Sequence, residues 1–257
     1  MNRAIADLVR RYDPDRFLTA LFAPPDKRDA LLTLYAFNHE LARAREVVSK
    51  PPLALIRLQW WRETVEGTRR RHEVAEPLEA AITAGDLDRA DLLALIDARE
   101  IEADAAIETL AAWRAYVLGN AGGLAVAAGR LLGADDPESL RPLGAAYGVA
   151  GLLRSIPVHA GQGRCLLPED VLAEHGLTPE QVIATPTTGA VEAVVRRLAE
   201  DALGVLGRAK RLPRRAIAAG LPAVLARRDL QRAPRFIAQR GLGDRLAVTL
   251  AGLAGRV

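Results

Sequence analysis

The chain has one cysteine, Cys165, so it can close no intramolecular disulfide and assemble no thiolate metal cluster. A reducing interior is the expected setting. Aromatic residues are 4% of the 257, and no sustained alternating stretch rich in Val, Ile, Thr and Tyr is present to build a sheet. No window approaches the roughly 20 uninterrupted apolar residues that span a bilayer, so any membrane contact is expected to be peripheral. His72 and His175 have no partner at metal-ligand spacing, which argues against a zinc site. The stretch Met1 to Arg11 interrupts its apolar residues with charge too often for a signal-peptide core. Asp7, Asp13 and Asp15 run against an organellar presequence, which avoids acids.

What is present favours helix. Half of the residues are apolar, enough for one sizeable core, and a single domain over residues 1–257 is the expectation. Ala, Leu, Arg and Glu dominate, and their side chains lose little rotamer freedom on a helical backbone. Turn signals such as Pro24-Pro25-Asp26, Pro51-Pro52, Gly85-Asp86, Gly133 to Pro137, Gly161-Gln162-Gly163 and Gly220-Leu221-Pro222 cut the chain into blocks. Helices are expected over Lys27 to Ser49 with Asp26 as N-cap, Leu53 to Arg71, Asp88 to Glu108, Trp113 to Leu132 and Pro137 to Ser155. Two more are expected in the C-terminal third. From Ala190 onward there are 14 Arg or Lys against 5 Asp or Glu. That bias reads as a solvated surface, or as a face for anionic lipid or an acidic partner. Nucleic acid is not expected, because the basic residues are not interleaved with stacking aromatics.

The segment Leu21 to Phe37 (LFAPPDKRDALLTLYAF) resembles the opening of the squalene/phytoene synthase family. Tyr116 to Leu124 (YVLGNAGGL) is similar to that family's glycine-containing helix, and Gly163 to Leu172 followed by Gly176-Leu177 is similar to its "GR.YLP.D.L...G" segment. The resemblance spans about Tyr12 to Leu225. It implies an all-α isoprenoid synthase-like helical bundle around a central, largely apolar cavity that accepts prenyl chains. It also implies two aspartate-rich motifs facing each other across the cavity mouth. These hold the magnesium that assists departure of an allylic diphosphate.

Against that pattern the magnesium ligands are missing. Ala42 and Arg43 stand where the first motif carries aspartates, with Glu46 the acid that remains. Ser155 and His159 stand at the second, with Pro157 between them, so a straight helix presenting i and i+4 ligands is not expected. The replacements Phe37-Asn38-His39-Glu40-Leu41, Leu58 to Glu66 (LQWWRETVE) and Leu153 to His159 (LRSIPVH) resemble the branch of the superfamily typified by a mitochondrial complex I assembly factor.

That branch implies a non-catalytic protein acting in respiratory complex I assembly, with complex I subunits or assembly intermediates as partners. A bound prenyl lipid or quinone is a further expectation, and no cofactor is required. The alternatives are a prenyltransferase condensing two allylic diphosphates with Mg, and a lipid or quinone carrier. The candidate cavity-mouth or ligand contacts are Tyr35, Asn38, His39, Glu46, Arg154, His159 and Arg164, with no catalytic residue and no metal site assigned. By helical spacing His39 shares a face with Arg43 and Glu46. Trp60 and Trp61 read as core packing. Asp97, Glu100 and Asp104 share one face of the third long helix, an acidic group in the place where the enzymes carry one, while Glu102 points elsewhere. Gly119, Gly122 and Gly123 serve close helix packing. The Arg- and Ala-heavy composition suggests a bacterial source, and the expected location is cytoplasmic, peripheral to the inner membrane.

Overall fold

A computed structural model describes residues 2–46, 48, 51–103, 106–207, 211–236 and 240–257. Among them the regular structure is helical, with two isolated bridges, Ile107 to Pro168 and Arg211 to Arg256. In chain order the helices are α1 (Arg3–Tyr12), α2 (Pro14–Ala20), α3 (Arg28–Glu46), α4 (Pro51–Glu66), α5 (Ala75–Thr83), α6 (Arg89–Glu100), α7 (Leu110–Val117) and α8 (Gly123–Leu131). They continue as α9 (Arg141–Arg154), α10 (Ile156–Gly161), α11 (Glu169–Glu174), α12 (Pro179–Ala184), α13 (Gly189–Leu206), α14 (Ile217–Gly220), α15 (Pro222–Arg232) and α16 (Leu242–Ala254).

The boundaries follow local chemistry, with departures from the sequence expectation. Asp88 caps α6 by accepting from the Ala90 N–H at 2.8 Å, as Asp residues do at helix starts. Asp26 does not cap α3: it lies in the preceding turn, and the Lys27 carbonyl accepts the first helical bond from Leu31. The block expected from Trp113 to Leu132 begins earlier, at Leu110, and is interrupted by a π-helical turn over Leu118–Gly122. The block expected to reach Glu108 ends as α-helix at Glu100 and tightens into a 3₁₀ turn over Ile101–Ala103. Among the described residues the C-terminal third holds three long helices rather than two, α13, α15 and α16.

Helix α3 runs through the core, with Leu31, Leu34, Tyr35, Phe37 and Leu41 at most 2% exposed. Around it pack α1, α4, α5, α6 and α8. Trp61 packs edge-on to Phe37 with ring centroids 5.4 Å apart, so the tryptophan pair serves the core, with Trp60 packed at its margin. Helix α9 lies against the π turn on one side and α13 and α15 on the other. A Cβ at Gly144 would collide with the Ala121 carbonyl, and one at Gly148 would come within 2.6 Å of the Ala121 Cβ. These glycines let α9 and the π turn approach closely enough to enclose the space described next.

Candidate functional site

The helices that carry the two motif positions meet at a cavity of about 200 Å³ lined by Arg16, Asn38, Arg99, Tyr116, Asn120, Tyr147, Ser155 and His159, with small residues of α9 between them. Asn38 comes from α3, Arg99 from α6, Tyr116 from α7 and Asn120 from the π turn. Ser155 and His159 come from the joint between α9 and α10. Single π turns often re-aim side chains at functional sites, and here the turn carries Asn120 into the wall. The helix does break at Ser155, yet the His159 N–H still bonds the Ser155 carbonyl at 2.9 Å. Pro157 occupies the first turn of α10, where no N–H is needed. The proline therefore does not prevent both residues from lining one cavity.

Behind this wall lies a buried ionic knot. One Glu102 oxygen accepts from Arg99 Nη1 and from the Tyr116 hydroxyl, both at 2.6 Å. Its other oxygen lies 3.9 Å from Arg164 Nη2. Arg99 Nη2 donates to Asn38 Oδ1 at 3.3 Å. Glu102 thus points inward, away from the face that Asp97 and Glu100 share, as the helical spacing predicts. Asp97 and Glu100 are instead tied to Arg62 at the surface, at 2.6 and 2.8 Å. Asp104, the third member of the expected acidic face, lies outside the described residues. Burial and the neighbouring Arg164 push the His159 imidazole down to about 4, so it is neutral at pH 7. Burial, then the Glu102 carboxylate, raise the Tyr116 phenol above its usual range.

Arg16 forms the inner end of the cavity. Asp13 caps its backbone N–H at 3.0 Å and holds its guanidinium at 2.8 Å, and the guanidinium carbon sits 5.7 Å from the Tyr35 ring centre and 4.7 Å from that of Tyr147. Past this plug the space between Tyr35, Leu124, Leu143, Tyr147 and Ala223 is about 10 Å³. That void is too small for a prenyl chain.

The remaining candidates scatter. Tyr35 is buried beneath Arg16 and borders the small inner void rather than the polar cavity. His39 stacks on Tyr12 with centroids 4.5 Å apart, away from the cavity lining, and burial lowers its pKa. Glu46, exposed at the end of α3, has a raised pKa: partial desolvation leads, Glu102 adds to it, and Arg99, Arg164 and Arg43 oppose it. Arg154 turns away from His159 to bond Asp229 at 3.0 Å, and Asp229 is in turn held by Arg240 at 2.6 Å. Arg240 also bonds Asp15 at 2.8 Å, which ties α2, α9 and α15 together. Sequence reasoning missed Arg16, Arg99, Tyr116, Asn120 and Tyr147. Their only signal was polarity within apolar helices.

Magnesium does not fit this cavity. Among the described residues no Asp or Glu lines it, and no three His, Cys, Asp or Glu side chains converge to hold an ion. Magnesium requires hard oxygen ligands, and here the wall offers guanidinium, amide and hydroxyl groups.

The helical bundle closing on a cavity defines the class as isoprenoid-synthase-like. A dehydrosqualene synthase structure superposes with a TM-score of 0.70 at 14% identity, covering 98% of this chain and 95% of that one. A squalene synthase from Alicyclobacillus acidocaldarius gives 0.66 at 17% identity, covering 99% and 94%. At the level of sequence, residues 9–250 match squalene/phytoene synthase, and the chain belongs to that family. It is 29% identical over 227 residues to the Rattus norvegicus NADH dehydrogenase (ubiquinone) complex I assembly factor 6, covering 85% of this chain and 68% of that protein. With the Homo sapiens protein of the same name the figures are 28% over 204 residues, 76% and 61%. It is also 29% identical over 208 residues to presqualene diphosphate synthase of Rhodopseudomonas palustris, covering 76% and 74%.

Proposed function

We propose that this protein is a non-catalytic member of the family that acts in respiratory complex I assembly, through contacts with complex I subunits or assembly intermediates. The observation that carries the reading is a cavity whose described lining holds no acid, with Arg16 and Arg99 in its wall, where magnesium catalysis would need carboxylates. Similarity to proteins named as complex I assembly factors over 85% of the chain supplies the biological direction. Deletion of the gene is expected to lower assembled complex I on native gels and NADH-dependent quinone reduction in membranes. Normal complex I in the deletion strain overturns the reading.

The rival is head-to-head prenyl transfer, which the similarity to presqualene diphosphate synthase favours. Purified protein with radiolabelled farnesyl or geranylgeranyl diphosphate, magnesium and NADPH is expected to give no condensed product. A prenyl lipid or quinone enters this function only as a headgroup in the polar cavity, because the inner void of about 10 Å³ takes no chain.

Peripheral membrane contact belongs to the same reading. No helix among the described residues is long and apolar enough to cross a membrane. Helix α16 exposes Leu242, Leu246, Leu250 and Leu253 at 60–78% along one face, with Arg245 and Arg256 exposed beside them. Its acid, Asp244, is buried against Arg228 and Arg232. An apolar stripe bordered by free cations suits an anionic lipid surface.

A further inference from the structure

The cavity between the motif helices is walled by donors. Asn38 commits its side-chain oxygen to Arg99, which leaves its two amide N–H groups to offer. Arg16, Arg99, Asn120 and the Ser155 hydroxyl stand around the same space. The Nε of Arg99 and the Nη2 of Arg164 are buried and make no hydrogen bond. Arg164 has a side chain only 10% exposed, and the Glu102 oxygen nearest to it is 3.9 Å away. The other Glu102 oxygen is already taken by Arg99 and Tyr116. Among the described residues the cations here outnumber the carboxylates. Arg16, Arg43, Arg45, Arg99 and Arg164 gather here with the carboxylates Asp13, Glu40, Glu46 and Glu102. Buried cationic N–H groups without acceptors are costly; Arg99 lines the void itself, and Arg164 adds to the positive field behind it through the Glu102 that both face.

We propose that this cavity is a magnesium-independent site for a compact oxyanion, a phosphate or a small dicarboxylate, held directly by guanidinium, amide and hydroxyl donors. Guanidinium forks match such anions in geometry as well as charge. The volume of about 200 Å³ equals roughly six or seven waters at about 30 Å³ each, which accommodates an inorganic anion or a four-carbon diacid. Arg16, Tyr35 and Tyr147 close the inner end, so the ligand carries no prenyl chain inward. The charge of the site is inverted relative to one built on magnesium carboxylates: the cations belong to the protein and the oxygens to the ligand. The proposal stands apart from the assembly role, and the two can fail separately.

The test is titration calorimetry of the full chain with inorganic phosphate, inorganic diphosphate and succinate in EDTA, repeated with magnesium. Phosphate or succinate is expected to bind in EDTA, with affinity unchanged by magnesium. Arg99→Gln, which removes a guanidinium from the wall, is expected to weaken binding at least tenfold. Ser155→Asp, which sets a carboxylate in the wall, is expected to abolish it while leaving cooperative melting intact, and it provides the test even if R99Q fails to fold. Farnesyl diphosphate is expected to bind no more tightly than inorganic diphosphate. Vesicles bearing phosphatidic acid that displace phosphate assign the anion to a lipid headgroup, and vesicles that do not assign it to a free solute. No binding by any of the three probes, binding that survives S155D, binding that appears only with magnesium, or a tenfold preference for farnesyl diphosphate each overturns the proposal.

Discussion

Replacing Glu102 with alanine tests the ionic knot behind the cavity. The carboxylate is 6% exposed, and its partner Arg99 is 12% exposed. Removing it takes away a 2.6 Å bond from Arg99, another from the Tyr116 hydroxyl, and the anion 3.9 Å from Arg164. Two buried guanidinium groups then lack that counter-charge. Breaking a buried pair from one side costs about 3–5 kcal/mol. For a chain of this size that corresponds to a drop of about 6–20 °C in Tm. Glu102→Gln keeps the shape and an acceptor oxygen while removing the charge, so its loss is expected to fall between wild type and E102A, about 1–3 kcal/mol. Adding Arg164→Met to E102A removes one stranded charge and is expected to recover part of the loss. Urea unfolding followed by circular dichroism gives all four stabilities. A loss below about 1 kcal/mol for E102A, or equal losses for E102A and E102Q, refutes the view that Glu102 is the counter-ion of this cluster.

Other perturbations follow from the same geometry. Gly144→Ala drives a methyl into the Ala121 carbonyl and is expected to cost at least about 1–3 kcal/mol. At Gly151, where an added Cβ meets nothing within 4 Å, Ala is expected to stabilise by about 0.5–1 kcal/mol; thermal melts distinguish the two. With the folded His159 pKa at about 4 against the ordinary 6.5, the unfolded chain binds a proton that the folded chain refuses between those values. Stability is therefore lost as pH falls from about 6.5 through 4. Glu46, whose folded pKa is raised, works in the opposite direction. His159→Asn is expected to flatten the wild-type slope, and an unchanged slope removes His159 as its cause. Leu246→Glu with Leu250→Glu on α16 is expected to reduce co-sedimentation with anionic vesicles at least tenfold, since each buried leucine contributes about 1.5–3 kcal/mol; undiminished binding excludes this face.

The family-bearing segments lie where local pattern and tertiary role coincide. Leu31, Leu34, Tyr35 and Leu41 recur at helical spacing and are buried in α3. Residue type is likewise readable without a structure: at the positions where the resemblance places the aspartate motifs stand Ala42, Arg43, Ser155 and His159, which cannot do what carboxylates do. Helical phase placed Asp97 and Glu100 on one face correctly, but not which face meets the core: both are held by Arg62 at the surface, while Glu102 turns inward. Arg154 and His159 are close in sequence but diverge, one to Asp229 and the other to the cavity.

The sequence by itself determined the helical class and the family, since composition, periodicity and residue identity are local properties. Tertiary structure decided what occupies the vacated place. Arg16 reaches the cavity from α2, Arg99 from α6, Tyr116 from α7, Asn120 from a π turn and His159 from α10. No short-range pattern brings these residues together. Their meeting depends on helix packing allowed by glycines 144 and 148, and on the pairing of charges that only the folded core forces into contact.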